Sequence, residues 1–280
     1  MTAKRSSLVV ILALLSSAVY AEPVRESRDW VQVFDVGGAP TLEVSNIFGD
    51  VTVVAGPPGT IELAIESVRS AADAQSFELS KTRIPIVVEQ SGDMVIARVG
   101  RDQHDWDRVP RCYRCKVEAQ FTITVPVNST IDVGTVNDGL VTVNGVRGSV
   151  SASNVNGGIR IAGLAQCRYI KSINGGVMLD YDVRPKEDCD IETINGDIAI
   201  RLPAPAALDL AVDLGNGRVR SDFDVAPRAM AATVEQRSRG GKTVYDIQQM
   251  AGLRIGSGGA MLKIKSLNGD VRISRSKNDD

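Results

Sequence analysis

The feature that most constrains the fold of this chain is an Asn-Gly turn that returns at nearly constant spacing. The clearest copies surround Asn156, Asn174 and Asn195, and these asparagines lie 18 and 21 residues apart. A period of about 20 residues is typical of architectures in which one small unit stacks on the next. The full set of repeat-turn residues is Asn137, Asn156, Asn174, Asn195, Asn216 and Asn268.

Each copy also carries aliphatic residues at fixed distances from the turn. One lies four residues before the asparagine, as Ile191 does, and two lie three and five residues after it, as Ile198 and Ile200 do. Residues two apart on a strand face the same side of a sheet, so stacked copies would align these positions into aliphatic columns. The pattern predicts an all-β parallel β-solenoid, a β-helix-like stack of coils of about 18–21 residues with Asn-Gly corners.

The alternative fold is an antiparallel hairpin sandwich or barrel, because Asn-Gly is also the commonest turn of a β-hairpin. Two features favour the solenoid. The copies align as whole coils, and the serine-rich segment 149–153 suits a short strand within a coil. Glycine and asparagine are expected at the corners because a left-handed backbone costs them little. An asparagine can also stack on an identical residue one rung away.

The first residues have the pattern of a secretory signal peptide. Lys4 and Arg5 are basic, an apolar run extends from Leu8 to Leu15, and residues 19–21 (Val-Tyr-Ala) form a plausible cleavage site before Glu22. We therefore expect residues 1–21 to be removed. No transmembrane anchor is expected after cleavage, and the mature protein is expected to be exported, to the periplasm or to the cell surface and beyond.

The rest of the chain divides into three parts. Residues 22–129 form a β-rich N-terminal region with one short helix, predicted from Ser70 to Leu79 with Ser70 as its cap. Residues 130–273 hold the repeats, with an excursion at 226–247 that interrupts the period. Residues 274–280 form a polar tail. The formal net charge of −2 argues against a dedicated nucleic-acid binder.

Cys167 and Cys189 are separated by about one coil. Stacked rungs lie ~4.8 Å apart, and a disulfide needs Cα atoms ~4.4–6.8 Å apart. We therefore expect a structural bridge between adjacent coils, with a free or redox-active pair as the alternative.

Cys112 and Cys115 have CxxC spacing. A redox site of this spacing sits at a helix N-terminus, whereas a strand is predicted here from Lys116. Zinc would need two more ligands, and only His104 is near. A local disulfide is the favoured interpretation.

Two sets of titratable residues could carry chemistry, and in both the structural interpretation is favoured. His104 lies in a polar loop and is interpreted as solvated rather than as a base or metal ligand. Acids after turn glycines could bind calcium, but aspartate also favours turns. The acids beside the histidine are Asp102, Asp105 and Asp107, and those after glycines are Asp50, Asp197 and Asp270.

The repeats and their lead-in resemble the bacterial putative-adhesin family of exported β-strand-repeat domains, whose copies read roughly t-v-N-G-d-v-x-v. The turns at Asn137, Asn156, Asn174, Asn195 and Asn268 carry the resemblance, together with the strand of residues 121–126 that precedes them. The resemblance implies a β-solenoid-like exported protein and brings no catalytic residues.

The leading functional hypothesis is a non-catalytic envelope or cell-surface protein, an adhesin-like binding module or a structural scaffold, without cofactor or metal. Repeated positions of a solenoid form extended binding surfaces, here for an unknown protein or glycan of the envelope or the extracellular space. Alternation places these cations on the candidate binding face: Arg160, Arg168, Lys171, Arg218, Lys263, Lys265 and Arg272.

Two other functions remain as alternatives. One is a regulatory protein associated with envelope stress. The other is a polysaccharide-active enzyme, because parallel β-helices also host such enzymes. Its residues would be Asp180, Asp182, Arg184 and Lys186.

Overall fold

The computed structural model describes residues 23–100, 111–231, 233–239, 242–248 and 250–276. The predicted signal peptide at 1–21 lies outside the described residues. So do His104 with its acidic neighbours and residues 277–280 of the predicted tail.

The described chain consists mainly of β-strands with one helix, as expected for the all-β class. In chain order the strands are β1 (Val24–Asp35), β2 (Thr41–Ser45), β3 (Val51–Gly56), β4 (Thr60–Ala71), β5 (Ile86–Ser91), β6 (Met94–Val99), β7 (Lys116–Pro126), β8 (Thr130–Asn137), β9 (Val141–Asn144), β10 (Ser149–Asn156), β11 (Ile159–Leu164), β12 (Gln166–Asn174), β13 (Val177–Tyr181), β14 (Cys189–Asn195), β15 (Ile198–Leu202), β16 (Leu208–Asn216), β17 (Val219–Ser221), β18 (Val225–Arg228), β19 (Thr233–Arg239), β20 (Lys242–Gln248), β21 (Ala251–Ile255), β22 (Met261–Asn268) and β23 (Val271–Arg275). The helix α1 (Ala74–Arg83) lies between β4 and β5.

Two large open sheets face each other across one apolar core. Sheet 1 has ten strands in the order β1-β4-β7-β3-β9-β11-β13-β15-β23-β17. Sheet 2 has eleven, in the order β18-β21-β16-β22-β14-β12-β10-β8-β2-β6-β5. β19 and β20 form a separate sheet of two strands. Neither sheet closes on itself, so the layers fit the sandwich form of the alternative prediction and not a barrel.

Each repeat unit, which forms one rung of the stack, contributes one strand to each sheet. β12 ends at Asn174 in sheet 2, and after the turn β13 continues in sheet 1. Equivalent strands of neighbouring units pair in parallel with their asparagines in register, as Asn174 does with Asn195. The Asn-Gly turns therefore connect the two sheets and do not close antiparallel hairpins.

The order of the units in space differs from their order in the chain. The last unit, β22 and β23, lies between the unit of β14 and β15 and the unit of β16 and β17. Before it, the chain runs through β18 to β21, and β21 pairs antiparallel with β16. The final unit thus inserts as the penultimate rung of the stack.

The predicted aliphatic columns lie in the core. Residues four before the turn asparagine are all at most 5% exposed, and residues three and five after it in the central units are at most 2% exposed. The first column contains Val133, Ala152, Ile170, Ile191, Ile264 and Val212. Because the units are in register, each aliphatic side chain packs on its counterpart in the next rung.

The N-terminal end is built differently. β4 pairs antiparallel with β1 and β7, and β5 pairs antiparallel with β6. The helix starts later than predicted: Ser70 belongs to β4, and Asp73 caps α1 by accepting from the Ser76 N–H. Among the described residues, no helix combines the length and the apolar character needed to cross a membrane.

Candidate functional site

The turn asparagines form a continuous ladder along the corner between the two sheets. In each step the Nδ2 of one asparagine donates to the Oδ1 of the next, over 2.8–3.0 Å. In space the ladder runs Asn137, Asn156, Asn174, Asn195, Asn268 and Asn216. The prediction that identical asparagines stack between rungs is therefore confirmed.

The corner glycines are required for a reason other than the one predicted. None of Gly157, Gly175 and Gly196 has a left-handed backbone. A Cβ at each would instead collide with the carbonyl oxygen of the corner glycine one rung away. The spacing of the rungs therefore excludes a side chain here, and the expectation of left-handed corners was wrong for these residues.

A second polar column, which the sequence reasoning missed, lies inside the corner. Thr135, Asn154, Ser172 and Thr193 are each at most 2% exposed, and each donates to the carbonyl of a corner glycine in the neighbouring rung at 2.8–3.4 Å. They satisfy acceptors that would otherwise be buried without a partner. The available signal was a Ser, Thr or Asn two residues before the ladder asparagine in every copy except that of Asn216.

The acids that follow turn glycines bond to the backbone of the neighbouring unit. Asp50 accepts from the Leu140 N–H and Asp197 from the Asp270 N–H, both at 2.8 Å. Asp270 accepts from the Arg218 N–H, and the Arg220 side chain that bonds to it lowers the pKa of this carboxyl. Within the described residues no group of three His, Cys, Asp or Glu side chains could hold a metal.

Both predicted disulfides are present. Cys167 in β12 is joined to Cys189 in β14 with 5.3 Å between their Cα atoms, and both side chains are buried. The bridge therefore links two neighbouring rungs inside the core. Cys112 is joined to Cys115, with a Cα–Cα distance of 5.8 Å.

The seven cations of the predicted binding face do not share one face. Arg160 and Arg272 lie on the outer face of sheet 1, and Arg218 lies in the turn before β17. The other four, Arg168, Lys171, Lys263 and Lys265, belong to strands of sheet 2. A single cationic face was therefore the wrong expectation, because the turn between the strands of each unit places them on opposite sides of the molecule.

The cations on sheet 2 face acids that lie one or two rungs away. Lys171 lies 3.3 Å from Glu192, which raises the pKa of this lysine mainly by hydrogen bonding. Lys263 lies 3.4 Å from Asp190. Arg168 lies 3.6 Å from Asp132, and Lys265 is in register with Glu192 and Asp213. These charges pair along the stack instead of forming a free cationic surface.

Beside the ladder, the outer face of sheet 2 carries a row of aliphatic side chains. Each is the residue directly before a ladder asparagine, and at the two ends of the row Val136 is 38% and Leu267 53% exposed. We call this row the aliphatic stripe; it consists of Val136, Val155, Ile173, Ile194 and Leu267. Five rungs make it ~19 Å long. It ends at Gly215 in the last rung, above a shallow depression next to Leu267.

Two of the four residues of the enzymatic alternative, Asp180 and Arg184, make contacts outside their own group. Asp180 lies 3.5 Å from Arg201 and accepts from the Ser276 hydroxyl at 3.4 Å. Arg184 donates to the Pro205 carbonyl at 3.2 Å. Asp182 and Lys186 are exposed in the segment that follows β13.

A cleft of about 580 Å³, absent from the sequence-based predictions, opens at the N-terminal end between the two sheets. β1 and β4 form one wall and β5 the other, with Trp30, Ile86 and Val88 among its lining residues. Arg69 lies at its base and donates to the carbonyls of Ser80 and Ile84 at the end of α1, and burial lowers the pKa of this arginine.

No family model and no curated protein matches this chain. It is similar to the crystal structure of a putative cell adhesion protein from Clostridium sporogenes, with 10% identity, a TM-score of 0.42, and coverage of 90% of this chain and 100% of that chain. A putative adhesin from Bacteroides fragilis has 12% identity, a TM-score of 0.31, and coverage of 89% and 97%. A putative adhesin from Parabacteroides distasonis has 8% identity, a TM-score of 0.23, and the same coverage.

These names agree with the family that the Asn-Gly repeats and their lead-in resemble. The TM-scores are 0.23–0.42 and the identities 8–12%, so neither a fold nor a residue role is transferred from these proteins. Solved structures that resemble this chain are thus named putative adhesins.

Proposed function

We propose that the protein is a non-catalytic, exported β-solenoid that binds a partner protein of the envelope or the extracellular space through the outer face of sheet 2. The aliphatic stripe is the observation that carries this proposal. Solvent-facing positions of a sheet are usually polar, and contiguous apolar side chains on a surface commonly mark an interaction site.

The surroundings of the stripe support a rigid, adhesin-like role. The asparagine ladder fixes the stripe along one edge, and the row of Lys171, Glu192, Lys265 and Asp213 lies along the other with alternating charge. An apolar row beside alternating charges matches the mixed surface of a protein partner better than that of a uniformly charged polymer. The parallel register of the units supports the solenoid, and the two disulfides support export to an oxidising compartment.

The test is the binding of the labelled exported protein to envelopes isolated from the bacterium that produces it. Ile173→Glu places a charge at the centre of the stripe and is expected to weaken binding at least tenfold. Ala199→Glu makes the same kind of change on the outer face of sheet 1 and is the matched control, expected to bind normally.

Other outcomes would contradict the proposal. Equal binding by both variants would remove the stripe from the interface. Binding that survives protease treatment of the envelopes but is lost after periodate oxidation would replace the protein partner by a glycan. Cleavage of envelope glycans by the purified protein would replace the non-catalytic role by the enzymatic one.

A further inference from the structure

We infer that β1 is the docking edge for a second copy of this chain, which pairs with it antiparallel about a twofold axis at Trp30. This self-association is independent of the partner surface proposed for sheet 2. It would join the two copies of sheet 1 into one continuous sheet.

Among the described residues, no strand pairs with the outer side of β1. β1 is the first strand of sheet 1 and pairs antiparallel with β4 over its whole length of 12 residues. Just beyond β1, the Val36 N–H donates to the Gly59 carbonyl, and within it the Arg28 carbonyl accepts from the Ser67 hydroxyl of β4. Even-numbered residues therefore turn their backbone groups toward β4, since alternate residues of an antiparallel pair exchange hydrogen bonds.

The odd-numbered residues from Arg25 to Asp35 consequently point their N–H and C=O groups away from the sheet. A long edge of this kind is a ready template for another strand. Val31 and Val33 lie on the outer face of the edge, and each is 58% exposed. A strand added at the edge would reduce this apolar exposure.

One side chain on the inner face lacks a partner. The Oε1 of Gln32 is buried, and it accepts no hydrogen bond from the part of the chain that the structure describes. A buried acceptor without a donor is costly, so the arrangement favours a donor brought from outside.

The charges of β1 select one register. With Trp30 facing Trp30 of the second copy, Arg25 faces Asp35 of the second copy, and the reverse pair repeats across the axis. The odd-numbered residues then face odd-numbered residues, so all outward backbone groups can pair. Opposite charges directly across a strand pair are stabilising.

The same register brings a donor to Gln32. Arg28 and Gln32 both point to the inner face, and Arg28 faces Gln32 of the second copy, so its guanidinium can donate to the unpartnered Oε1. Moving the axis to Asp29 would place two aspartates opposite each other. Moving it to Val31 would place Arg28 opposite Phe34 and lose the Arg25–Asp35 pairs.

Sedimentation equilibrium of the exported protein tests the proposal. The wild type is expected to dimerise. Arg25→Asp and Asp35→Arg each place like charges opposite one another twice, and each should raise the dimer dissociation constant about tenfold or more. The double variant restores opposite charges and should return to within about threefold of wild type. Arg272→Asp on β23 and Asp213→Arg on β16 are matched controls expected to dimerise normally.

Val31→Pro removes one outward N–H without touching the hydrogen bonds to β4, and should be monomeric with an unchanged thermal unfolding transition. Trp30→Cys, placed on the axis, should form a disulfide-linked dimer, whereas Val33→Cys should not. A monomeric wild type, a dimer insensitive to the charge reversals, or a double variant that fails to recover would overturn the proposal.

Discussion

The stack of repeat units and the N-terminal end of the molecule differ in how they pack their turns and pair their backbone polar groups. In the stack, one set of contacts repeats at every corner: a ladder asparagine, a glycine without room for a side chain, and in most rungs a buried Ser, Thr or Asn. At the N-terminal end each contact occurs once. Arg69, for example, donates to the carbonyls of Ser80 and Ile84 at the end of α1, and this contact has no repeated counterpart in the stack.

The junction between the regions shows the difference at equivalent positions. Phe48 occupies the ladder position beside Asn137, and Asn46 occupies the inner polar position. Asn46 donates to the carbonyls of Phe48, Gly49 and Ala119. Here a single side chain donates to three backbone carbonyls, whereas in the stack each inner polar side chain donates to the corner of its neighbouring rung. In the stack, the position of a residue within the rung determines which side chain fits. At the N-terminal end, the side chain that fits is determined by its own local neighbours.

The largest expected effect is at a corner glycine. Gly175→Ala would place a Cβ against the carbonyl oxygen of Gly157, which belongs to the backbone of the neighbouring rung and cannot easily move. We expect destabilisation of about 3 kcal/mol, measured by urea unfolding. Gly38→Ala in the N-terminal region is the control, because no atom of the described residues, apart from the two chain neighbours, lies within 4 Å of the added Cβ. Similar losses at both sites would contradict the steric account of the corner.

The two disulfides allow the next comparison. Replacing both Cys167 and Cys189 by alanine opens a loop of 22 residues, and the chain-entropy model gives a loss of about 3 kcal/mol. The matched double variant of Cys112 and Cys115 opens a loop of 3 residues and should lose less. Unfolding of both variants with and without reductant measures the difference. A larger loss at the CxxC pair would show that the stack does not depend on its bridge.

An ion pair with a buried carboxylate at the C-terminal end of the stack predicts a pH dependence. Asp209 in β16 is 4% exposed and accepts from Arg254 in β21 at 2.7 Å and 3.2 Å, with Arg228 of β18 at 3.5 Å. The hydrogen bond from Arg254 is the main cause of its lowered pKa. The pair therefore stabilises the fold above the ordinary aspartate value near 3.8, and this contribution is lost as the pH falls through the lower pKa of the folded state.

Asp209→Asn should cost about 2 kcal/mol at pH 7, and the difference from wild type should shrink below about pH 4. Urea unfolding at pH 7 and pH 3 provides the measurement. Asp213→Asn, at an exposed position of the same strand, is the control and should change little at either pH. A constant difference between wild type and Asp209→Asn across this range would contradict the assignment.

The smallest expected effect compares two serines of the inner polar column. Ser172 donates to the Gly157 carbonyl, whereas the hydroxyl of Ser266 is buried without a partner among the described residues. Ser172→Ala should cost about 1 kcal/mol. Ser266→Ala should be neutral or slightly stabilising, because it removes a polar group that is buried unpaired. Thermal unfolding can rank the two, and a greater loss at Ser266 would reverse the interpretation of the column.

Several features of the stack could be predicted from the sequence because they repeat. A side chain that recurs with the period of the rung meets its own counterpart, so the asparagine ladder, the aliphatic columns and the bridge of Cys167 with Cys189 follow from spacing alone. The inner polar column carried the same signal in Thr135, Ser172 and Thr193. The column was not predicted because Ser, Thr and Asn are also typical of turns, so their presence near a turn does not indicate burial.

The candidate binding surface was harder to predict because it depends on which strands are neighbours in space. Alternation identified outward-facing cations, but it does not show that the corner sends Arg160 and Lys171 to different sheets. Nor does it show that Lys171 meets Glu192 of the next rung. The aliphatic stripe was visible only as one residue beside each asparagine, and its exposure depends on the sheet that covers the other side.

The sequence by itself determined what each rung contains, because the period imposes one environment on every copy of a position. The tertiary structure decided the order of the rungs. Units that share one pattern of strands and turns can each pair with any other, so the sequence pattern does not show which two are neighbours. The unit of Asn216 departs from the pattern, with Leu214 at the inner position and Gly215 in the stripe, and it lies at the end of the stack. β21 pairs with residues Leu208 to Val212 of β16, so among the described residues the corner of this rung has a repeat unit on one side alone and tolerates such departures. The last unit in the chain occupies the interior position next to it.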